Sequence, residues 1–380
     1  MSRRIRPRAA APVTSNVADV VVIGDGLAGL TAALECAARG LTIFLCGSSR
    51  TGTASLASAG VLGPSIGGRP SDHVAQQFMI AARDLYPSFL AKLDVLTGIS
   101  VPTVLGVLQF PESNSALDAA ERGVPPDATL VGRQELADLE PALPRGGVGL
   151  FHERDGAVDV GVLHAALSSA VACSTGITRR DEAAEVRPDG RSVASVRLRD
   201  GSRLSAGHSI VANGAWAGLL PGLPRTLPIA PLKGEIVFAT PAPLRHVVFG
   251  GGGYIVPRGD ELLIGATSRE TGFDARVTEA AAKSLSAIAD TVLPGSAPWR
   301  SRVIRQVAGL RPVTPDLLPI VGPDPDDASI VYACGYSRNG VLLAPLVARC
   351  VADVVCGAEP GFNLTAFSPA RFAATGASSG

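Results

Sequence analysis

The patterned part of the chain opens with ADVVVIG, Ala18 to Gly24, an unbroken apolar run rich in β-branched residues and closed by glycine. A run without polar alternation predicts a strand covered on both faces, as in the interior of a parallel sheet. From Leu27 to Arg39 the apolar positions Leu30, Ala33, Leu34 and Ala37 fall on one helical stripe, and Gly40 stands where a helix stops. LTIFLC then reads as a second strand, so the segment is a βαβ unit whose right-handed crossover makes the strands parallel. The same strand running into a glycine turn recurs in LSAGHSIVANGAWAG, Leu204 to Gly218, and in SIVYACGYSRNGVLLAPLVARCVADVVCG near the end. The chain is therefore predicted to leave one parallel sheet and return to it.

Between these returns the period changes. From Lys233 to Thr267 short strands alternate with turns (GEIVFAT, VVFGGGG, YIVPRGDELLIGAT), and PRGDE sits where a hairpin loop is needed. That pattern predicts antiparallel sheet. The expected fold class is α/β: a Rossmann-like dinucleotide-binding domain interleaved with an antiparallel-sheet α+β domain. The first is expected over 18–75, 151–225 and 305–372, the second over 76–150 and 226–304, with loose tails at 1–17 and 373–380.

Composition narrows the ligand. Apolar residues make up 46% of the 380, charged residues 18%, and mean hydropathy is +0.28, which is the composition of a folded globular chain. Basic and acidic residues balance at 34 each, so no basic field draws in nucleic acid or an anionic membrane, and a small ligand is expected. The arginine-bearing N-terminus has no apolar stretch behind it, so neither a signal peptide nor a spanning helix is expected. Six cysteines without a CxxC pair suit a reducing cytoplasm. The five histidines are scattered and predict no metal site. GYSRNG and GHSIV both lack the spacing of a serine-hydrolase elbow. Lys233, in PLKGE, is expected to form a salt bridge at a domain interface.

Two glycine turns carry the chemistry. Gly24-Asp25-Gly26-Leu27-Ala28-Gly29 matches G-x-G-x-x-G directly after a strand and at a helix start. Gly24 permits the tight turn, Gly26 the approach of a pyrophosphate, and Gly29 close packing of helix on strand. Cys46 follows Gly24 by 22 residues, near the ~20 at which an acid usually binds the adenosine ribose. With the acid gone, one reading admits a 2′-phosphate held by Ser48, Ser49 and Arg50, hence NADP. The other is FAD bound without that contact. The second turn, Gly335-Tyr336-Ser337-Arg338-Asn339-Gly340, separates a strand from a helix whose positive end is free. A nicotinamide enzyme has no need of it, whereas a reduced flavin ring gains from such a helix end.

These segments, with SLASAGVLGPS, DGAVDVGVLHAAL, PLKGEIV, YIVPRGDELLIGAT and AGLRPVTPDLLPIVG, together resemble the D-amino-acid oxidase superfamily of flavoproteins, and within it the branch that oxidises glycine. The resemblance implies FAD in a domain of the glutathione-reductase type. It implies that Leu27, Ala28, Cys46 and Gly47 meet the adenosine end, with a backbone contact from Ala183. Ala54, Ser55, Ala59, Gly60 and Val61 would pass the ring system, and Tyr336, Ser337, Arg338, Asn339, Gly340, Val341 and Leu342 would meet it from the second turn. Arg311 aligns with an arginine that clamps a substrate carboxylate, Tyr254 with a tyrosine that helps hold it, and Arg338 with a second arginine near flavin and substrate.

The implied reaction is hydride transfer from the α-carbon of a small amino acid or amine to flavin N5. Hydrolysis of the imine to an oxo acid and ammonia follows, then reoxidation by O2 to H2O2. Relatives assemble as homotetramers. Gly252 and Ser268 stand where bulkier side chains occur, which leaves room for a substrate larger than glycine. Three other readings stay open at this level: a dehydrogenase of the same fold with a non-oxygen acceptor, an NADP reductase, and a flavin-free binding relative.

Overall fold

The structure is a computed structural model that describes residues 16–48, 50–66, 73–111, 124, 127–144, 147–188, 194–294 and 299–372. In chain order the strands are β1 (Val17–Ile23), β2 (Ile43–Cys46), β3 (Val61–Leu62), β4 (Thr103–Gln109), β5 (Thr129–Val131), β6 (Gly149–Val158), β7 (Ile177–Arg180), β8 (Ala183–Pro188) and β9 (Ala194–Leu198). They continue with β10 (Arg203–Val211), β11 (Ala230–Ala239), β12 (Val247–Gly250), β13 (Gly253–Arg258), β14 (Glu261–Gly265), β15 (Val303–Val313), β16 (Ile320–Pro323) and β17 (Ile330–Cys334). The α-helices are α1 (Leu27–Ala38), α2 (His73–Thr97), α3 (Arg133–Leu139), α4 (Val160–Cys173), α5 (Glu279–Val292) and α6 (Gly340–Val355).

The first sheet runs β16-β17-β10-β1-β2-β7, with β9 also paired to β10 and β8 to β9. The contacts β7–β2, β2–β1, β1–β10 and β10–β17 are all parallel. Chain leaving and returning is thus how the sheet is built, as the repeated strand-turn pattern predicts. In β1, Val20 and Val22 join the core under the helices while Val21 and Ile23 join a second core on the opposite face. Both faces are covered, which is why the strand carries no polar alternation.

The second sheet runs β15-β11-β14-β13-β12-β4-β6-β3, with β5 on β6. It is antiparallel except where β12 meets β4 in parallel. One face packs on α5 through Leu285, Ala289 and Val292. The other, with Ile236, Phe238 and Leu263, turns toward Ala59 and Ile66.

The sheets divide the chain differently from the sequence boundaries. Residue 151 falls inside β6 and residue 305 inside β15, and both strands belong wholly to the second sheet. No turn signal interrupts either strand, so only pairing reveals where it belongs. Helix α2, counted with the second domain, buries Phe78, Met79, Ala82 and Tyr86 in the core of α1, α4 and α6. Its apolar stripe says that one face is buried but not against what. The expected N-terminal tail also ends sooner, because Val17 is already in β1 and the Asn16 carbonyl accepts the Ser205 N–H at 2.9 Å. Residues 1–15 and the tail at 373–380 lie outside the described residues. Lys233 is buried in β11, pairs with Glu235 on the same strand at 3.5 Å and donates to the Arg276 carbonyl at 3.0 Å. It is an interior ion pair of the second sheet and not an interface bridge.

Candidate active site

The ends of β1, β2 and β17 open on one cleft of about 1430 Å³, whose far wall is made by β11, β13 and β15 of the second sheet. Small-molecule sites usually occupy roughly 300–1,000 Å³, so a long ligand fits. At one end, Gly24 has φ +111°, and a Cβ there would overlap the Ala212 carbonyl. A Cβ on Gly29 would overlap the Gly24 carbonyl, and one on Gly26 would come within 2.9 Å of Ser55 Oγ. Gly24 and Gly29 thus make the tight turn and the close helix packing that their spacing predicts, and the first N–H of α1, at Leu27, donates to Ser55 Oγ at 3.1 Å. The turn is a cradle that backbone alone can make for a pyrophosphate.

Beyond this turn stand Cys46, Gly47, Ala183 and Trp216. Arg50, the expected partner of a 2′-phosphate, donates from Nε to Glu182 at 2.6 Å and lies over the Trp216 ring at 5.3 Å. Glu182 also pairs with Arg199 at 3.0 Å. The cation is already neutralised, so the sequence argument for NADP loses its receptor. Ser48 lines the cleft, and Ser49 lies outside the described residues.

At the other end the second glycine turn closes on the site. Gly335 has φ +70°, where a Cβ would press on Thr314, and Ser337 has φ +51°. The Ser337 N–H donates to the Pro312 carbonyl at 2.9 Å, which ties the turn to the residue after Arg311. Asn339 precedes α6 without a side-chain cap, and its Nδ2 donates to Met79 Sδ at 3.4 Å. The uncapped first turn of α6 leaves N–H groups and a positive helix end at the cleft.

Arg311, Tyr254 and Arg338 meet there. Tyr254 and Arg311 line the same part of the cleft, near enough for the guanidinium to act on the phenol, and Arg311 Nη1 donates to the Thr267 carbonyl at 3.1 Å. Gly234 on β11 faces the guanidinium, where a Cβ would overlap it; Gly265 does the same for the Tyr254 ring. Burial pushes the Tyr254 hydroxyl above its ordinary range against the pull of Arg311 and Arg258, so it is a neutral phenol at pH 7. Desolvation and the neighbouring Arg311 lower the pKa of Arg338. Two guanidinium groups this close make a field that attracts an anion.

Most of the residues singled out by sequence line this cleft: Gly24, Gly26, Leu27, Ala28, Cys46, Gly47, Ala54, Ser55, Ala59, Val61, Ala183, Tyr254, Arg311 and the turn from Tyr336 to Val341. Gly29, Gly60 and Leu342 stand behind the wall. A Cβ on Gly60, at φ +76°, would overlap the Val158 carbonyl, and Leu342 is buried in the helical core. Gly252 and Ser268 line the cleft, and nothing stands within 4 Å of where a Cβ on Gly252 would sit. Sequence reasoning missed Met79, Thr267, Gly234 and Gly265, whose relation to the site exists only through strand register and helix packing. It also gave Asp25 no role, because that position is written x in the glycine motif.

The histidines are not all isolated. His152, Asp127 and Asp155 come within 4.8 Å of one another, although their spacing in the chain hides it. Arg83 Nη1 donates to Asp155 at 2.7 Å and to Asp127 at 3.3 Å, so a fixed cation already sits between the carboxylates.

A family profile described as FAD dependent oxidoreductase, DAO, matches residues 19–354. The chain belongs to this DAO family. A DAO-family relative, the glycine oxidase of Geobacillus kaustophilus, is 32% identical over 374 residues, covering 93% of this chain and 97% of the relative. The crystal structure of glycine oxidase from Geobacillus kaustophilus has a TM-score of 0.84 at 31% identity and covers 93% and 98% of the two chains. That of iminodiacetate oxidase from Chelativorans sp. BNC1 has a TM-score of 0.81 at 25% identity, with 92% and 98% covered. As a DAO-family member the chain is an FAD-dependent oxidoreductase of amino acids or amines. The glycine cradle and the cleft beyond it fit that cofactor. The flavin-free and NADP readings fall with this assignment.

Proposed function

We propose that the protein oxidises the C–N bond of glycine or a similar small amino acid or amine that carries a carboxylate, with O2 as the terminal acceptor and H2O2 as product. When bound, FAD supplies the acceptor for the substrate hydride. The protein supplies placement and field. Arg311 would hold the substrate carboxylate through its planar fork, and the neutral Tyr254 hydroxyl would donate to the same group. The first turn of α6, together with Arg338, would stabilise the negative charge that accumulates on the ring system as hydride arrives.

The convergence of Arg311, Tyr254 and Arg338 on one cleft carries this reading. The open wall at Gly252 and Ser268 supports a substrate somewhat larger than glycine, and the name of the iminodiacetate oxidase agrees with that direction. The expected setting is the cytoplasm, and by family resemblance a homotetramer.

The test is a peroxide assay of the FAD-loaded protein against glycine, sarcosine, D-alanine, D-proline, iminodiacetate and simple amines without a carboxylate. Arg311→Ala should raise KM for the carboxylate-bearing substrates by roughly tenfold to a hundredfold, as expected for loss of a charge-assisted pair, and leave the flavin bound. A variant with unchanged KM removes Arg311 from the carboxylate site.

A further inference from the structure

Strand β2 ends on Cys46, at the position from which an acid usually reaches the adenosine ribose. Burial pushes the Cys46 thiol up to about 12, so it remains neutral, and a thiol is a weak acceptor. The hydroxyl it would face needs a better partner.

Three carboxylates line the cleft among the described residues: Asp25, Glu182 and Asp316. Asp316 stands near the second turn and is held by Arg371 at 2.7 Å. Glu182 has Arg50 on one oxygen and Arg199 on the other. Asp25 is held less tightly. Its Oδ1 accepts the Ser48 N–H at 3.4 Å, and its Oδ2 lies 3.5 Å from Arg179 Nη1. A carboxylate has about four acceptor positions, so capacity remains.

The place of that carboxylate is specific. It lies against Gly47, the residue after Cys46, where a Cβ would overlap Oδ2. An acid at 25 and a glycine at 47 therefore form a matched pair: the carboxylate reaches the end of β2 from the neighbouring strand's turn, and the missing side chain makes room for it. Arg179 lies beside it at 3.5 Å, and burial lowers the pKa of nearby His164 against the pull of Asp25. The Arg179 charge offsets an anion placed next to a pyrophosphate-binding turn.

We propose that Asp25 replaces the acid absent at Cys46 and accepts the hydrogen bond of the adenosine 2′-hydroxyl of FAD. The proposal rests on the FAD assignment, and affinity rather than turnover tests it. Apoprotein is titrated with FAD and with FAD lacking the adenosine 2′-hydroxyl, flavin fluorescence giving Kd and circular dichroism confirming the fold. Asp25→Asn should weaken FAD binding about tenfold to a hundredfold, the loss expected for a hydrogen bond to a charged group. Wild type should prefer FAD to the deoxy form by a similar factor, and Asp25→Asn should lose that preference. Cys46→Glu in the Asp25→Asn background should restore it.

If Asp25→Asn discriminates between the two flavins as wild type does, or if Glu182→Gln is the variant that loses discrimination, the proposal is overturned. Wild-type apoprotein that binds neither flavin would overturn the cofactor assignment itself, and the proposal with it.

Discussion

Asp155 shows how a single residue carries both stability and site architecture. Its carboxyl is buried, receives Arg83 at 2.7 Å, and its Oδ2 comes 3.4 Å from where a Cβ on Gly63 would stand in the wall of the cleft. Burial pushes it up to about 6 despite the pull of Arg83, so the ion pair does not offset the desolvation of the carboxyl. The folded state then holds a proton that the unfolded chain releases near pH 4. Stability from this group is complete below about pH 4 and is lost as pH rises through about 6, by on the order of 3 kcal/mol at 1.36 kcal/mol per unit. Asp155→Asn cannot titrate. The stability difference between wild type and variant, measured by urea unfolding, should therefore change across pH 4 to 7, and a difference that stays constant would refute the assignment. The segment DGAVDVGVLHAAL begins at this residue, but its role is not legible there, because Arg83 and Asp127 are brought to it from α2 and from the segment before β5. Arg311 and Tyr254, by contrast, were legible from the segments GLRP and YIVPR through family resemblance. Spacing alone did not show that they meet in one cleft.

At the scale of elements, legibility followed burial. β1, α1 and β2 were readable because each has its own pattern: runs apolar on both faces, and a helix stripe closed by Gly40. β3 and β5, at two and three residues, have no period of their own and exist because β6 pairs with them. The junction of α2 with α6 was illegible for another reason. Pro345 lies inside α6 and has no N–H to give the Val341 carbonyl four residues earlier. The buried Tyr86 hydroxyl of α2 donates to that carbonyl instead. A proline in a helix and a tyrosine 259 residues away in sequence thus make one device, and it fixes the first turn of α6 against the cleft. Tyr86→Phe should cost about 1–3 kcal/mol, the penalty of a buried acceptor left unmade, read as a lowered denaturation midpoint with an unchanged m-value. A loss below a few tenths of a kcal/mol would mean that water or a shift of the helix satisfies Val341.

On the scale of the molecule, the cleft is where the two sheets depend on each other. Direct links across it include Arg258, at the end of β13, which donates to the Ala59 carbonyl at 3.2 Å and lies 3.7 Å from Asp159, the residue that caps α4. The remaining wall is shared: Cys46 and Ala183 come from the first sheet, Tyr254 and Arg311 from the second. FAD bound along this cleft would contact both, and would then belong to the cooperative unit instead of decorating one half. A ligand that binds only the folded state stabilises it by RT ln(1 + [L]/Kd), about 2.7 kcal/mol at a free concentration of 100 Kd. Removing FAD should therefore lower Tm, and adding it back at 100 Kd should restore that amount. The shared wall adds a sharper expectation. In apoprotein, hydrogen exchange should quicken in the turn Gly24–Gly29, in the turn Gly335–Gly340 and in β15 together, because all three line the cleft that FAD would fill. Quickening confined to the first turn would mean that the second sheet is held by its own contacts alone, and that FAD couples only half the molecule.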